Sequence, residues 1–314
     1  MAEPSMAGSI ARTLSIASFV LIAAVVIAAL RPAVAQSPNP FLVADVEVDQ
    51  TAATVAQARE AALTEGQRKA FRRLLERLVP SDQQAKLPRP SAAQIADLVE
   101  NFEVQSERGS AVRYIATLTF RFNADGVRNL LRRAGLPFAE TYARPMVVLP
   151  IYHNDAVSVL WDDPNPWLAA WRALPPTDGL QPLAVPLGDL ADIGAINADQ
   201  ARGGDPERIE TVAKRYGAGG VIVVEANLDR SREGQTDLQV TTTRFDIGVP
   251  EQTVVDTYVA NPNESLEALL ARAAAGSARA IDERWKSELV LQFGQEATLV
   301  GDVVFGTLPE WIAV

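Results

Sequence analysis

No cysteine occurs in the 314-residue chain. That excludes a disulfide framework, a thiolate metal site and the acylated cysteine of a lipoprotein. There is one histidine, His153, so a two-histidine metal site is excluded as well. Carboxylates could complete a site around it, yet no His-x-x-x-His or Asp-x-Asp-x-Asp-Gly spacing occurs. A Gly-x-Ser-x-Gly elbow is missing, as are the Gly-x-Gly-x-x-Gly register and the Gly-Lys-Ser/Thr ending of a P-loop. No residue is assigned a catalytic, cofactor-binding or metal-binding role on this reading, and no cofactor is expected. Positive charge is scarce: 29 Lys and Arg stand against 39 Asp and Glu, a net charge of −10. With no basic tract to offset it, general affinity for nucleic acid or anionic headgroups is not expected.

Long apolar runs are missing too, with one exception. Arg12 precedes the unbroken run Leu14–Leu30, and Ala33-Val34-Ala35 follows as a small-x-small pattern. This pattern predicts a secretory signal peptide over 1–35, with cleavage between Ala35 and Gln36 and a periplasmic mature protein. The alternative is an uncleaved inner-membrane anchor over 14–30, since the run is at the lower limit for spanning a bilayer. Contact with a membrane is expected only through this segment.

The chain is 48% hydrophobic over its full length and can fill two cores. Over 41–140 the pattern predicts a small β-α-(α)-β-β-α sandwich. "VADVEVDQ" alternates Ala44, Val46 and Val48 with Asp45, Glu47 and Asp49, a strand with a solvated acidic face. A helix is expected over Thr54–Leu78 with Val55, Ala62, Phe71, Leu74 and Leu78 inward, and Gly66 within it marks close packing on the sheet. Ser91 caps a short helix, a hairpin turns near Glu107–Ser110, and a last helix stops at Gly135 before Pro137.

Over 144–292 a mixed-sheet α/β domain is expected, closed by a long C-terminal helix from about Ser265 to Gln292. "PMVVLPIY" has the continuous apolar character of an interior parallel strand. "LQPLAVPLGD" and "GVIVVEANLD" follow as strands, with Asp205 capping the helix between them, and "DLQVTTTRFDIG" and "QTVVDTYVAN" form an antiparallel extension. Residues 296–314 are expected to begin a further strand and an incomplete C-terminal element. The fold class is thus α+β / α/β.

"AREAALTEGQRKAFRRLLERLV" (58–79), "YIATLTFRFNADGVRNLLRRAGLPF" (114–138) and "RPMVVLPIY" (144–152) follow one another in an order that resembles the domain of unknown function 2066 family of bacterial envelope proteins. The resemblance implies an exported, uncharacterised protein and supplies no catalytic residues. It departs at "YHND", where the family strand continues rich in tryptophan. A more distant likeness, in architecture alone, is to α/β modules of periplasmic assembly and scaffold proteins.

Two sets of side chains are candidates for binding. His153, Asp155 and Trp161 would line a ligand cleft just past the carboxyl end of a parallel strand, where open α/β sheets place ligands; the plainer expectation is a loop histidine satisfied by backbone or water. Trp167 and Trp171 share a helical face, and core packing is expected of them over an aromatic binding wall. On the first long helix Arg68, Arg72 and Arg73 form a docking face for an acidic partner, or else a solvated surface together with Arg59, Lys69 and Arg77. The leading expectation is a non-enzymatic scaffold or partner-binding envelope protein. The alternatives are a carboxylate-based hydrolase and a small-ligand module near His153. Nothing in the sequence sets the oligomeric state.

Overall fold

The structure, a computed structural model, describes residues 39–154, 157–229, 236–246 and 252–304. Ala35, Gln36, Asp155 and the apolar run 14–30, on which the expected leader and part of the expected cleft depend, lie outside the described residues. Among the described residues no helix is long and apolar enough to cross a membrane.

The first sheet is antiparallel in the order β1-β3-β2, with β1 at Leu42–Thr51, β2 at Val99–Gly109 and β3 at Arg113–Phe122. Alternation decides which face is wet: Val46 and Val48 are buried while Asp45, Glu47 and Asp49 are exposed. Helix α1 (Val55–Leu78) starts at Thr54, whose side chain accepts from Gln57 N. It lies across β1 and β3. A Cβ on Gly66 would sit 3.1 Å from Val48 Cγ1 and 3.2 Å from Leu118 Cδ1 and Phe120 Cζ, so glycine is what lets helix and sheet close up. The expected apolar face holds for Ala62, Phe71, Leu74 and Leu78, but Val55, in the first turn, is 41% exposed. A 3-10 turn at Ser81–Lys86, helix α2 (Ala92–Leu98) with a Ser91–Gln94 capping box, and helix α3 (Ala124–Arg133) complete this half. Gly135, at φ +65°, ends α3 in the left-handed conformation that glycine adopts at least cost.

The second sheet has six strands in the order β5-β4-β7-β8-β9, with β6 beside β4. These are β4 (Met146–Asn154), β5 (Val157–Val159), β6 (Leu183–Ala184), β7 (Gly220–Asp229), β8 (Asp237–Asp246) and β9 (Gln252–Val259). β4 runs parallel to β6 and β7, and the other pairs are antiparallel. β4 is interior because both its faces are buried: Met146 and Val148 pack with Trp167, Trp171 and Leu270, while Val147, Leu149 and Ile151 pack with Ile209 and Val212. The helices concerned are α4 (Pro166–Arg172), α7 (Pro206–Arg215) and the long α8 (Leu266–Val304), with α5 (Leu190–Ala195) and α6 (Ala198–Arg202) between. The architecture is therefore α+β with a mixed sheet and a long C-terminal helix.

Two expectations need correction. The strand read in "LQPLAVPLGD" shrinks to Leu183–Ala184, since Pro182 and Pro186 remove ladder donors on either side. Where a new strand was expected from Ala297, α8 continues to Val304, and no proline interrupts it. Residues from Pro40 onward form one compact unit. A small cluster of Ala139, Leu180 and Leu289, with Tyr142 and Trp285 against it, packs where the two sheets' elements meet.

Candidate functional site

His153 is not in a loop. It lies in β4, directly opposite Ser158 of β5 and in register with Asn227 of β7. Its Nε2 is 2.8 Å from Glu225 Oε2 and its Nδ1 is 3.1 Å from Ser158 Oγ. Arg202, at the end of α6, donates from Nε to the same carboxylate oxygen at 2.8 Å. If Nε2–H donates to Glu225, Nδ1 is left as an acceptor for the Ser158 hydroxyl, the order of groups found in a nucleophile–base–carboxylate relay. Sequence reasoning missed Ser158, Glu225 and Arg202. The signal was Glu225, a carboxylate in the middle of the apolar strand "GVIVVEANLD", since a charge in such a strand requires a partner.

The electrostatics limit what this relay can do. Hydrogen bonding to His153 is the largest influence lowering the Glu225 carboxyl below the ordinary value of 4.5; burial opposes it and Arg202 adds to it. Arg202 and His153 share one carboxylate oxygen, so Glu225 is not committed to the imidazole alone as the carboxylate of a relay would be. Because the folded carboxyl is the more acidic, its contribution to stability is fully present above about pH 4.5 and is lost as pH falls through the folded value. Glu225→Gln is expected to lower the melting temperature at neutral pH and to flatten its decline below pH 4.5. An acid limb as steep as that of the unaltered protein would show that this pair is not linked to folding.

The tryptophans do not make a wall around His153. Trp167 and Trp171 are buried, 0% and 2% exposed, and meet edge to face at 5.9 Å. Trp161 is half-buried, and its Nε1 donates to Ile196 O at 2.7 Å. At the start of α7, Asp205 is engaged as a cap, accepting from Glu207 N and Arg208 N.

The arginines of α1 separate into two groups. Arg68 and Arg72 are highly exposed, at 70% and 80%, and among the described residues pair only with neighbours on their own helix, Glu65 and Glu76. Arg73 reaches Asp178 Oδ2 from Nε at 2.6 Å and Ala44 O from Nη1 at 3.0 Å, so it joins the two halves of the molecule. Arg77, read from sequence as a surface residue, is 5% exposed. A groove of about 820 Å³ opens beside α1, with the half-buried Leu87, Pro88 and Pro90 beside the buried Phe71, Leu75 and Ile95, Arg68, Arg72 and Arg89 around it and Glu76 as its acidic lining residue. Among the described residues Arg89 has no ion pair or hydrogen bond from its side chain. A second cleft of about 580 Å³ lies between α1, residues 174–179 and α8. There Lys286, 2% exposed, bridges Glu283 at 2.7 Å and Asp282 at 3.1 Å and donates to Glu76 O at 3.1 Å.

Residues 43–140 match the model of a family described as a domain of unknown function, DUF8605. That finding overturns the resemblance to the 2066 family. Of the order on which that resemblance rested, the helix, strand and helix fall within the matched segment and the Arg-Pro strand, β4, lies beyond it. The DUF8605 segment spans the first sheet, α1 and the basic groove, and ends before β4 and His153. No curated protein matches the chain. Among solved structures, a formyltetrahydrofolate deformylase from Pseudomonas putida KT2440 aligns with 14% identity over 77% of this chain and 91% of its own, with a TM-score of 0.20. At that score the likeness carries no argument about fold or chemistry.

Proposed function

We propose that the chain is an exported envelope protein without catalytic activity of its own, which binds an acidic segment of another protein. The observation that carries this reading is the groove beside α1, where three arginines and one glutamate surround apolar side chains in a protein of net charge −10. Exposed pairs within one helix are worth only about 0.3–0.5 kcal/mol, so Arg68 and Arg72 can exchange their intrahelical carboxylates for a partner's at small cost. Arg89 has none to exchange among the described residues. The half-buried Leu87, Pro88 and Pro90 supply apolar surface that charge alone does not, and the charges supply rate and orientation. Hydrolysis at Ser158 is the weaker reading, because the carboxylate behind His153 is shared with Arg202.

Arg73 drops out of the docking face on this reading and Arg89 enters it. The test is capture from envelope extract at low salt by the unaltered protein and by Arg68→Glu/Arg72→Glu/Arg89→Glu, with identification of what each retains. The expected result is that proteins with an exposed acidic, apolar-bearing segment are held by the first and lost by the second, at nearly equal melting temperatures. Identical captured sets would remove the groove as the binding surface.

A further inference from the structure

The groove beside α1 and the cleft beneath α8 are not separate. Glu76 and Gln84 line both, so the two volumes adjoin along the C-terminal half of α1. Each alone, at about 820 and 580 Å³, is the size of one small-molecule site, about 300–1,000 Å³; joined, they form a trough longer than such a ligand fills.

The charges along the trough differ in how far they are already engaged. In its middle Arg73, Arg77 and Lys286 are bound to Asp178, Asp282 and Glu283. Arg89 lines one part and Arg279 of α8 lines the other, and among the described residues neither side chain has an ion pair or hydrogen bond. We infer that the trough takes one extended acidic segment of a partner polypeptide, with apolar side chains over the half-buried Leu87, Pro88 and Pro90 and carboxylates at Arg89 and at Arg279. This rests on the groove reading above and adds a second contact point on the far half of the molecule. An extended chain suits the shape because it spans about 3.3 Å per residue, so a modest segment reaches both clefts. Occupying the second cleft after the first is an intramolecular step and raises affinity without any stronger single contact.

Fluorescence anisotropy with two labelled peptides of alternating Glu and Leu tests this. One has about six residues and the other about twelve, roughly 20 and 40 Å when extended. The longer peptide is expected to bind the full-length protein at least about tenfold more tightly, a difference of about 1.4 kcal/mol. Arg89→Glu should weaken both peptides; Arg279→Glu should weaken the longer one to the level of the shorter and leave the shorter unchanged. Equal affinities, or a longer peptide indifferent to Arg279→Glu in a variant with unaltered melting temperature, would overturn the two-part site while leaving the groove in place. No binding of either peptide at low salt would overturn the groove reading and this inference together.

Discussion

Replacing Arg77 with alanine is expected to destabilise the protein by about 1–3 kcal/mol, the cost of taking the donor away from partly buried acceptors. The side chain is 3% exposed. Its Nε donates to Asp178 O at 2.8 Å, its Nη1 to Pro40 O and Leu42 O at 2.6 and 2.7 Å, and its Nη2 to Asp178 Oδ1 at 2.9 Å. One guanidinium therefore holds the entry to β1 and the segment before Gly179 against the last turn of α1. Alanine would leave these partly buried carbonyl oxygens without this donor, a loss that water makes good only in part. Lysine is not a remedy, since a single ammonium cannot reproduce the planar fork that serves four acceptors. The exposed neighbour Arg72 provides the control: its pair with Glu76 is an exposed i,i+4 contact, so Arg72→Ala should cost only about 0.3–0.5 kcal/mol. Urea unfolding of the two variants separates the cases. A loss below about 1 kcal/mol for Arg77→Ala would mean that water replaces the guanidinium at little cost, and the joint between the two halves would then lie elsewhere.

That contrast shows where sequence reasoning stops. Periodicity placed Phe71, Leu74 and Leu78 on the inner face of α1 because those positions face its own sheet, a local matter. It could not separate Arg77 from Arg72, because Arg77 is buried by Asp178, 101 positions away. β4 was legible because a strand covered on both faces must be apolar throughout. β2 was legible as a strand but not as an edge: Phe102 aligns with buried Phe120 and Val104 with buried Leu118, yet at the edge of the sheet both remain exposed, at 40% and 37%. The short α5 and α6 carry too few turns to show a period. At the candidate site His153 was expected in a loop past a parallel strand but lies within β4, and its partners come from β5, α6 and β7 and meet only once the sheet has formed. The groove needed Arg89 from the proline-rich segment after α1, a residue with no periodic relation to Arg68 and Arg72.

Trp167→Ala is expected to cost about 3–5 kcal/mol, as for other large aromatic side chains removed from a core. Trp167 is 0% exposed, its Nε1 donates to Val224 O at 2.9 Å, and its ring meets Trp171 edge to face, with the planes at 87°. It packs in the layer formed by Met146, Val148, Ile222 and Val224 on the sheet side and Leu270 and Ala274 of α8 on the other. Removing it opens a cavity under α8 and abolishes an aromatic pair worth about 0.5–1.5 kcal/mol beyond its area. Trp167→Phe keeps a ring in the layer and gives up the indole hydrogen bond, so its loss should be the smaller, about 1–3 kcal/mol. The order Ala worse than Phe, with the near-ultraviolet dichroism of the tryptophans reduced in both, is the outcome of a packing role. An aromatic binding wall predicts the reverse of this: Trp167→Ala would keep its melting temperature and lose only affinity for a ligand. Because the indole is sealed beneath α8, a ligand could reach it only after that helix had moved away, and the free energy of moving it would be subtracted from any affinity the ring supplied.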